Sequence, residues 1–330
     1  MQMANILRRK ILRGAGMAAA ALTSAPRVIL AAENDFPSKP IRIIVPYGPG
    51  GIGDFTARAL ARYLGEAWNA RIIVENKPGA SGLVAMNWMR SVPADGYTAV
   101  MTSNTTVSAV RHLFKNVAYD PMRDFSHVGM IGVFGSVALA PLEAPFGSIP
   151  ELVEYSRRDP EKVFYGYTNA SSQVPSEMLN AYAGIHMQGV PYKETGQAAT
   201  DLIAGQTQFM FMDYVAAYPL VKGGKVRALA VSQREPAPLW PKLPVMATFY
   251  PGFEFSGYIT LSLPSGAPAN IMEKFNSATR KAITDPNFRN LLTSNGLVPQ
   301  DDDLTRLDDF ISAENRKWDE YARVAQLVPQ

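Results

Sequence analysis

Gly48, Gly50 and Gly53 lie in the stretch IRIIVPYGPGGIGDF, residues 41–55, and match the pattern G-x-G-x-x-G. Glycine at that spacing allows a tight turn and lets an anion approach backbone N–H groups with no Cβ in the way. Two chemistries use such a loop. In the first it cradles a dinucleotide pyrophosphate, and an acid about 20 residues on holds the ribose; Glu75 stands 22 residues after Gly53. In the second, the N–H groups of Gly50, Gly51 and the first helical turn hold a carboxylate, with the helix dipole behind them. Pro46 and Pro49 remove two N–H donors, which counts against a pyrophosphate more than against a carboxylate. A tight strand-to-helix turn that binds nothing is the third reading.

Other chemistries find little support. His112, His127 and His186 show no i,i+4 pairing and no H-E-x-x-H, so no metal site is expected. With no cysteine, disulfides, thiolate metal sites and thiol catalysis are excluded. Gly79-Ala-Ser-Gly82 has the wrong spacing for a nucleophile elbow. Asp301-Asp-Asp303 precedes a helical pattern and reads as capping and solvated charge.

The chain of 330 residues is 47% hydrophobic, enough for one large core or two ordinary ones. Its start has a different character. Arg8, Arg9, Lys10 and Arg13 precede a small apolar run, Gly14 to Ala25, too short for a permanent membrane span. Residues 1–32 are therefore expected to be an export signal, twin-arginine-like in its Arg8-Arg9-Lys10 order, with the general secretory route as the alternative. Cleavage after Ala32 fits best, although Leu30 is not the small residue preferred at the −3 position. This segment holds five basic residues and no acidic one, so the remainder carries 27 basic against 29 acidic residues, a net of −2. The positive charge belongs to the signal, and nucleic-acid binding loses its compositional support.

Alternating strand and helix patterns position the glycine loop. Ile41–Val45 is a β-branched run between prolines, expected as a buried strand. A helix follows from Asp54, the expected N-cap, and Arg71–Glu75 reads as the next strand. Thr98–Thr102 is a strand with a polar turn, Ser103–Thr106, at its end. Val128–Ala140 reads as a crossing between lobes. A second set follows: helix 149–158, strand 163–167, polar loop 168–173, helix 176–183, and strands near 187–190, 207–212 and 226–231, with a helix at 197–204. Pro236, Pro238, Pro241 and Pro244 exclude sheet interior there. Phe253–Leu263 reads as the return crossing, and a helical pattern closes the sequence.

In its order of segments the sequence resembles the Bug-type extracytoplasmic solute receptors of tripartite tricarboxylate transporters. The matching stretches are KPIRIIVPYGPGG and GD (39–54), VENKPGASG (74–82), PADGYT (93–98) and AYDPMRDF (118–125). They continue with VPYKETGQAATDLIAGQTQFMF (190–211), KGGKVRALAVS and Arg234, LPSGAP (263–268), and Glu314 with Lys317-Trp318. The resemblance implies an α/β type II periplasmic binding protein, two α/β lobes joined by two crossing strands. Lobe 1 would comprise residues 33–134 and 253–330, and lobe 2 residues 135–252. It implies a periplasmic monomer that binds a small organic carboxylate, with an aromatic acid and a dicarboxylate as the options, works with membrane transporter subunits, and needs no cofactor or nucleic acid.

Carried over by position, the first clamp is Tyr47, Gly48, Gly50, Gly51, Ile52, Gly53 and Asp54. Ser103, Asn104 and Thr105 stand where polar ligand-facing groups are expected. Tyr167, Thr168, Asn169, Ala170, Ser171 and Ser172 form the opposing clamp, with Tyr192 and Asp213 near the cleft. Some positions depart from the family pattern. Gly53 stands where Ser or Thr is usual, the second-lobe turn is shorter with Tyr167 at a small position, Tyr214 replaces Asn, and Tyr258 and Thr260 replace Trp and Gly. Tyr47, Tyr167, Tyr192 and Tyr214 at strand ends suggest aromatic cleft walls suited to a flat carboxylate. Lys193 reads as a solvated lysine beside Glu194. The alternative function is an exported nicotinamide-dependent oxidoreductase using the Gly48–Gly53 loop.

Overall fold

The computed structural model describes residues 36–330; the expected export signal lies outside them. In chain order, β1 (Ile41–Val45), α1 (Ile52–Trp68), β2 (Ile72–Asn76), α2 (Leu83–Met89), β3 (Thr98–Ser103), α3 (Asn104–Val107) and α4 (Val110–Leu113) lead to β4 (Phe125–Phe134). Then come β5 (Ser136–Pro141), α5 (Ile149–Arg158), β6 (Phe164–Tyr167), α6 (Ala170–Ala183), β7 (Gln188–Pro191), α7 (Thr195–Ile203), β8 (Met210–Asp213), α8 (Tyr214–Lys222) and β9 (Val226–Val231). The chain closes with β10 (Gly257–Pro264), α9 (Ala269–Thr284), α10 (Pro286–Thr293), β11 (Leu297–Pro299) and α11 (Leu304–Val324).

Two α/β lobes result. The first is built on a six-stranded sheet in the order β11-β4-β10-β3-β1-β2. Strand β1 runs parallel to β2 and β3, whereas β10 is antiparallel to β3 and β4. The central strands are covered on both faces, so their side chains are apolar without alternation: Ile41, Ile43, Ile44 and Val45 of β1 are fully buried. The second lobe holds a three-stranded antiparallel sheet, β8-β5-β9, beside the parallel pair β6-β7. A bridge from Tyr165 to Phe209 links the two.

The expected crossing at Val128–Ala140 is two strands meeting at one residue, Gly135, between β4 and β5. A Cβ there would lie 2.5 Å from the Tyr214 hydroxyl and from Gln233, so only glycine lets the chain pass. The return crossing is pinned beside it. Ser232 Oγ accepts from Ser136 N–H and donates to the Phe255 carbonyl, both at 2.9 Å.

Helix α11 joins the two cores. Leu307 and Ile311 pack with Met130 and Tyr258 of the first lobe. Further along, Trp318, Tyr321 and Ala325 join a cluster with Phe211, Phe253 and Phe255. Asp303 caps this helix, accepting from Arg306 N–H at 3.0 Å.

Three expectations shift at element ends. Gly51, not Asp54, is the N-cap of α1. The Ser103–Thr106 turn is the short helix α3, capped by Ser103. The polar loop 168–173 is mostly helix, because α6 begins at Ala170. The last two shifts have one cause: side chains that look like loop formers in sequence spend their hydrogen bonds on helix N-termini.

Candidate ligand-binding site

Loop Pro46–Gly51 connects β1 to α1, and Asp54 holds it. The Asp54 carboxylate accepts from Gly50 N–H at 3.2 Å, from Asn76 Nδ2 at 3.0 Å and from Arg58 Nε at 3.1 Å. Burial alone would raise the Asp54 pKa, yet these bonds outweigh it and hold the carboxyl below its ordinary value. Asn76 Nδ2 also donates to the Tyr47 carbonyl at 3.0 Å. Asp54 and Gly50 thus brace the loop from behind.

Gly51 gives α1 no cap of its own, and the helix N-terminus faces the second lobe. Asp213 reaches across from that lobe, its Oδ2 accepting from Ile52 N–H at 3.4 Å while Oδ1 caps α8 through Ala216 N–H at 3.0 Å. The N–H groups of Gly51 and Gly53 keep no hydrogen-bond partner among the described residues. Gly53 has a local reason to lack a side chain: its Cβ would lie 3.1 Å from the Tyr47 ring. A side chain at position 53 and the Tyr47 ring would compete for one volume. The Tyr47 hydroxyl meets Ser103 Oγ at 2.6 Å, and Ser103 Oγ accepts from Thr105 N–H at 3.2 Å.

The second lobe offers a helix end of a different kind. Asn169 Oδ1 accepts from Ser171 N–H at 2.9 Å, and Ser172 Oγ accepts from Thr168 N–H at 2.9 Å and Asn169 N–H at 3.3 Å. This end caps itself. Asn104 spans the gap between lobes, its Nδ2 donating to Ser171 Oγ at 3.1 Å.

These groups surround a cavity of about 30 Å³ lined by Gly51, Ile52 and Gly53 on one side and Thr168, Asn169, Ser171 and Ser172 on the other, with Tyr47, Ser103, Thr105 and Asp213. The N-termini of α1, α6, α7 and α8 all contribute lining residues. Each helix end carries roughly half a positive charge, so together they favour an anion. Among the described residues no lysine, arginine or histidine lines this cavity. Asp213 is its one carboxylate, and burial raises the Asp213 pKa although backbone N–H groups pull the other way.

A larger cavity of about 790 Å³ shares Tyr47, Thr168, Asn169 and Thr195 with the small one and adds Gly48, Tyr167 and Tyr192. Tyr192 turns its hydroxyl to Asp201 Oδ2 at 2.8 Å, so burial and that carboxylate push its pKa up to about 12. Of the expected site residues, Gly50, Asp54, Asn104 and Ala170 line neither cavity. Tyr214, expected at the cleft wall, does not reach it, and the pattern departures Tyr258 and Thr260 are buried as well. Tyr214 is fully buried and donates to Gln233 Oε1 at 3.1 Å, Tyr258 is buried against Ser108 Oγ at 2.8 Å, and Thr260 against Thr102 Oγ1 at 2.7 Å.

Sequence reading missed Thr195, the Gly79–Gly82 loop, and Gln173 and Glu177, all of which line a cavity. The last two had a signal: Asn169, Gln173 and Glu177 share one face at four-residue spacing once the helix starts at Ala170. Glu75, the ribose-holding acid of the dinucleotide reading, pairs instead with Lys77 at 2.6 Å.

Two lobes, a cleft lined by converging helix N-termini, and two crossing segments define a binding protein of the periplasmic type. Known proteins share this design. The model of the tripartite tricarboxylate transporter family receptor matches residues 56–326, and the chain belongs to that family. It is 28% identical over 289 residues to Protein BugT of Bordetella pertussis, covering 86% of this chain and 88% of that one. Two solved structures from Rhodopseudomonas palustris are also similar. One, Rpa4515 with adipate, has a TM-score of 0.87 and 27% identity, covering 90% of this chain and 100% of that one. The other, MatC with bound malate, has a TM-score of 0.82 and 28% identity over 87% of this chain and 100% of that one. This is a Bug-type receptor. Among the described residues, no helix is long and apolar enough to cross a membrane.

Proposed function

We propose that the protein is a periplasmic, non-catalytic receptor that captures a small organic carboxylate between its lobes and delivers it, as a monomer, to a membrane transporter of the tripartite tricarboxylate type. The observation that carries this reading is the pair of unpartnered N–H groups, Gly51 and Gly53, at an uncapped helix end facing the small cavity. A buried carboxylate is costly unless its oxygens are satisfied, and these two donors, the hydroxyls opposite and enclosed water meet that demand. The adipate and malate held by the two R. palustris relatives are of the same chemical class.

Capture works by differential affinity. A ligand touching both lobes favours their closed arrangement and shifts the population toward it. Asn104–Ser171 and Ile52–Asp213 are the direct contacts that such closure keeps. The nicotinamide alternative finds Gly50 N–H turned onto Asp54 and its ribose-holding acid, Glu75, paired with Lys77.

A thermal-shift screen of mono-, di- and tricarboxylates, with NADH and NADPH alongside, tests the reading. At a hundredfold excess over Kd, a ligand of the folded state adds about 2.7 kcal/mol and raises Tm. The proposal fails if no carboxylate moves Tm, and a shift by nicotinamide nucleotides alone would favour the alternative.

A further inference from the structure

Any role for the larger cavity rests on the carboxylate reading: with an acid group at the small cavity, the rest of the ligand must lie in the larger one. Helix α6 runs along this space. Asn169, Gln173 and Glu177 all line it from one helical face. Asn169 and Glu177 are eight residues apart, about 12 Å along the axis, and helical side chains lean toward the N-terminus, which brings the Glu177 carboxylate back toward the acid seat.

Glu177 is half-buried and held in place. The Tyr165 hydroxyl donates to its Oε1, and Asn180 Nδ2 donates to its Oε2 at 3.0 Å. Asn180 is itself fixed by Met187, whose N–H donates to Asn180 Oδ1 at 2.9 Å and whose carbonyl accepts from Nδ2 at 3.0 Å. A carboxylate has about four acceptor positions, so roughly half of those on Glu177 stay open. Among the described residues no lysine, arginine or histidine forms an ion pair with it. Three basic side chains line the cavity, none of them paired with Glu177. Lys193 and His186 are exposed, and His112 sits 3.3 Å from Asp319. The cavity thus offers an oriented acceptor to which no cation is paired.

We infer that Glu177 receives the far end of the ligand. The preferred solutes are then carboxylates bearing an ammonium or similar donor several carbons from the acid, rather than dicarboxylates. Tyr167 and Tyr47 along the walls suit a cation as well, through their ring faces.

Calorimetric titration of the folded protein with ω-aminoalkanoates of five to eight carbons, and with diacids and plain monoacids of equal length, decides it. The best aminoalkanoate should bind about tenfold tighter than its matched diacid, the worth of one charge-assisted hydrogen bond. Glu177→Gln should erase that preference and leave the monoacid nearly unchanged, whereas Lys193→Ala should leave the preference intact. A diacid that binds the wild type as tightly, or a preference that survives Glu177→Gln, overturns the inference while the carboxylate reading stands. If no acid of any length binds, both fall. The wild-type series alone is decisive, so a poorly folding variant does not protect the idea.

Discussion

Two helix N-termini face each other across the cleft, and they are built oppositely. The α1 end has glycine at the N-cap, no side-chain cap, and two N–H groups left over. The α6 end has Asn169 and Ser172 closing a capping box on themselves. Both helices are long enough, at 17 and 14 residues, to present a full macrodipole. What differs is who satisfies the orphan donors. An end that caps itself gains stability and lends only hydroxyls to a ligand; an end left open forgoes that stability and keeps its amides for something else.

The largest effect should come from closing the open end. Gly51 has φ −93°, which any residue adopts, and its Cβ would sit 3.4 Å from Asp213 Oδ2 and 3.7 Å from Thr195 Oγ1, inside the small cavity. Gly51→Ala should therefore fold normally and lose carboxylate affinity by about a hundredfold, the worth of two weakened charge-assisted hydrogen bonds. Unchanged affinity by calorimetry would remove the asymmetry from the account of binding.

Next in size is Asp213, the protein's own anion beside that end. Asp213→Asn removes the charge and should tighten carboxylate binding about fivefold at pH 7. Burial raises the Asp213 pKa, so the carboxyl takes up its proton at a higher pH in the folded state than in the unfolded chain. Its stabilising protonation is complete below the unfolded value and is lost as pH rises through the folded one. Wild-type affinity should accordingly rise as pH falls from 7 toward the pKa of the ligand, and the Asp213→Asn profile should be flatter. Matching profiles would show that Asp213 stays charged or does not face the ligand.

The self-capped end should respond in the other currency. Asn169→Ala removes a cap and should cost about 1 kcal/mol, lowering Tm by about 2–4 °C, with at most about a twofold change in affinity. A large affinity loss with unchanged Tm would make the two ends equivalent. Smallest of all, Lys193→Ala should change affinity less than about twofold, since an exposed lysine is screened.

Much of the lobe architecture is legible in residue patterns. The buried run of β1, the helix over 149–158 and the strand over 226–231 stand where apolar periodicity places them. The places where reading failed share a feature: Thr168–Gln173 and Ser103–Thr106 look like loops because their polar side chains compete for backbone groups, and that competition also caps helices. Tyr214 is misplaced for another reason. A tyrosine at a strand end suits a cleft wall or a core equally, and only a packed partner, Trp240 at 5.2 Å, settles which.

By itself the sequence determined the local chemistry: a glycine-rich turn short of N–H donors through its prolines, strands and helices in alternation, and no cysteine. Periodicity and backbone freedom act over a few residues, so they can be read there. Only the tertiary structure decided which donors remain free, because that depends on partners far along the chain. Ile52 meets Asp213, 161 residues away, and Asn104 meets Ser171, 67 residues away. A hydrogen bond is local in space but not in sequence, and the cleft is made of such bonds.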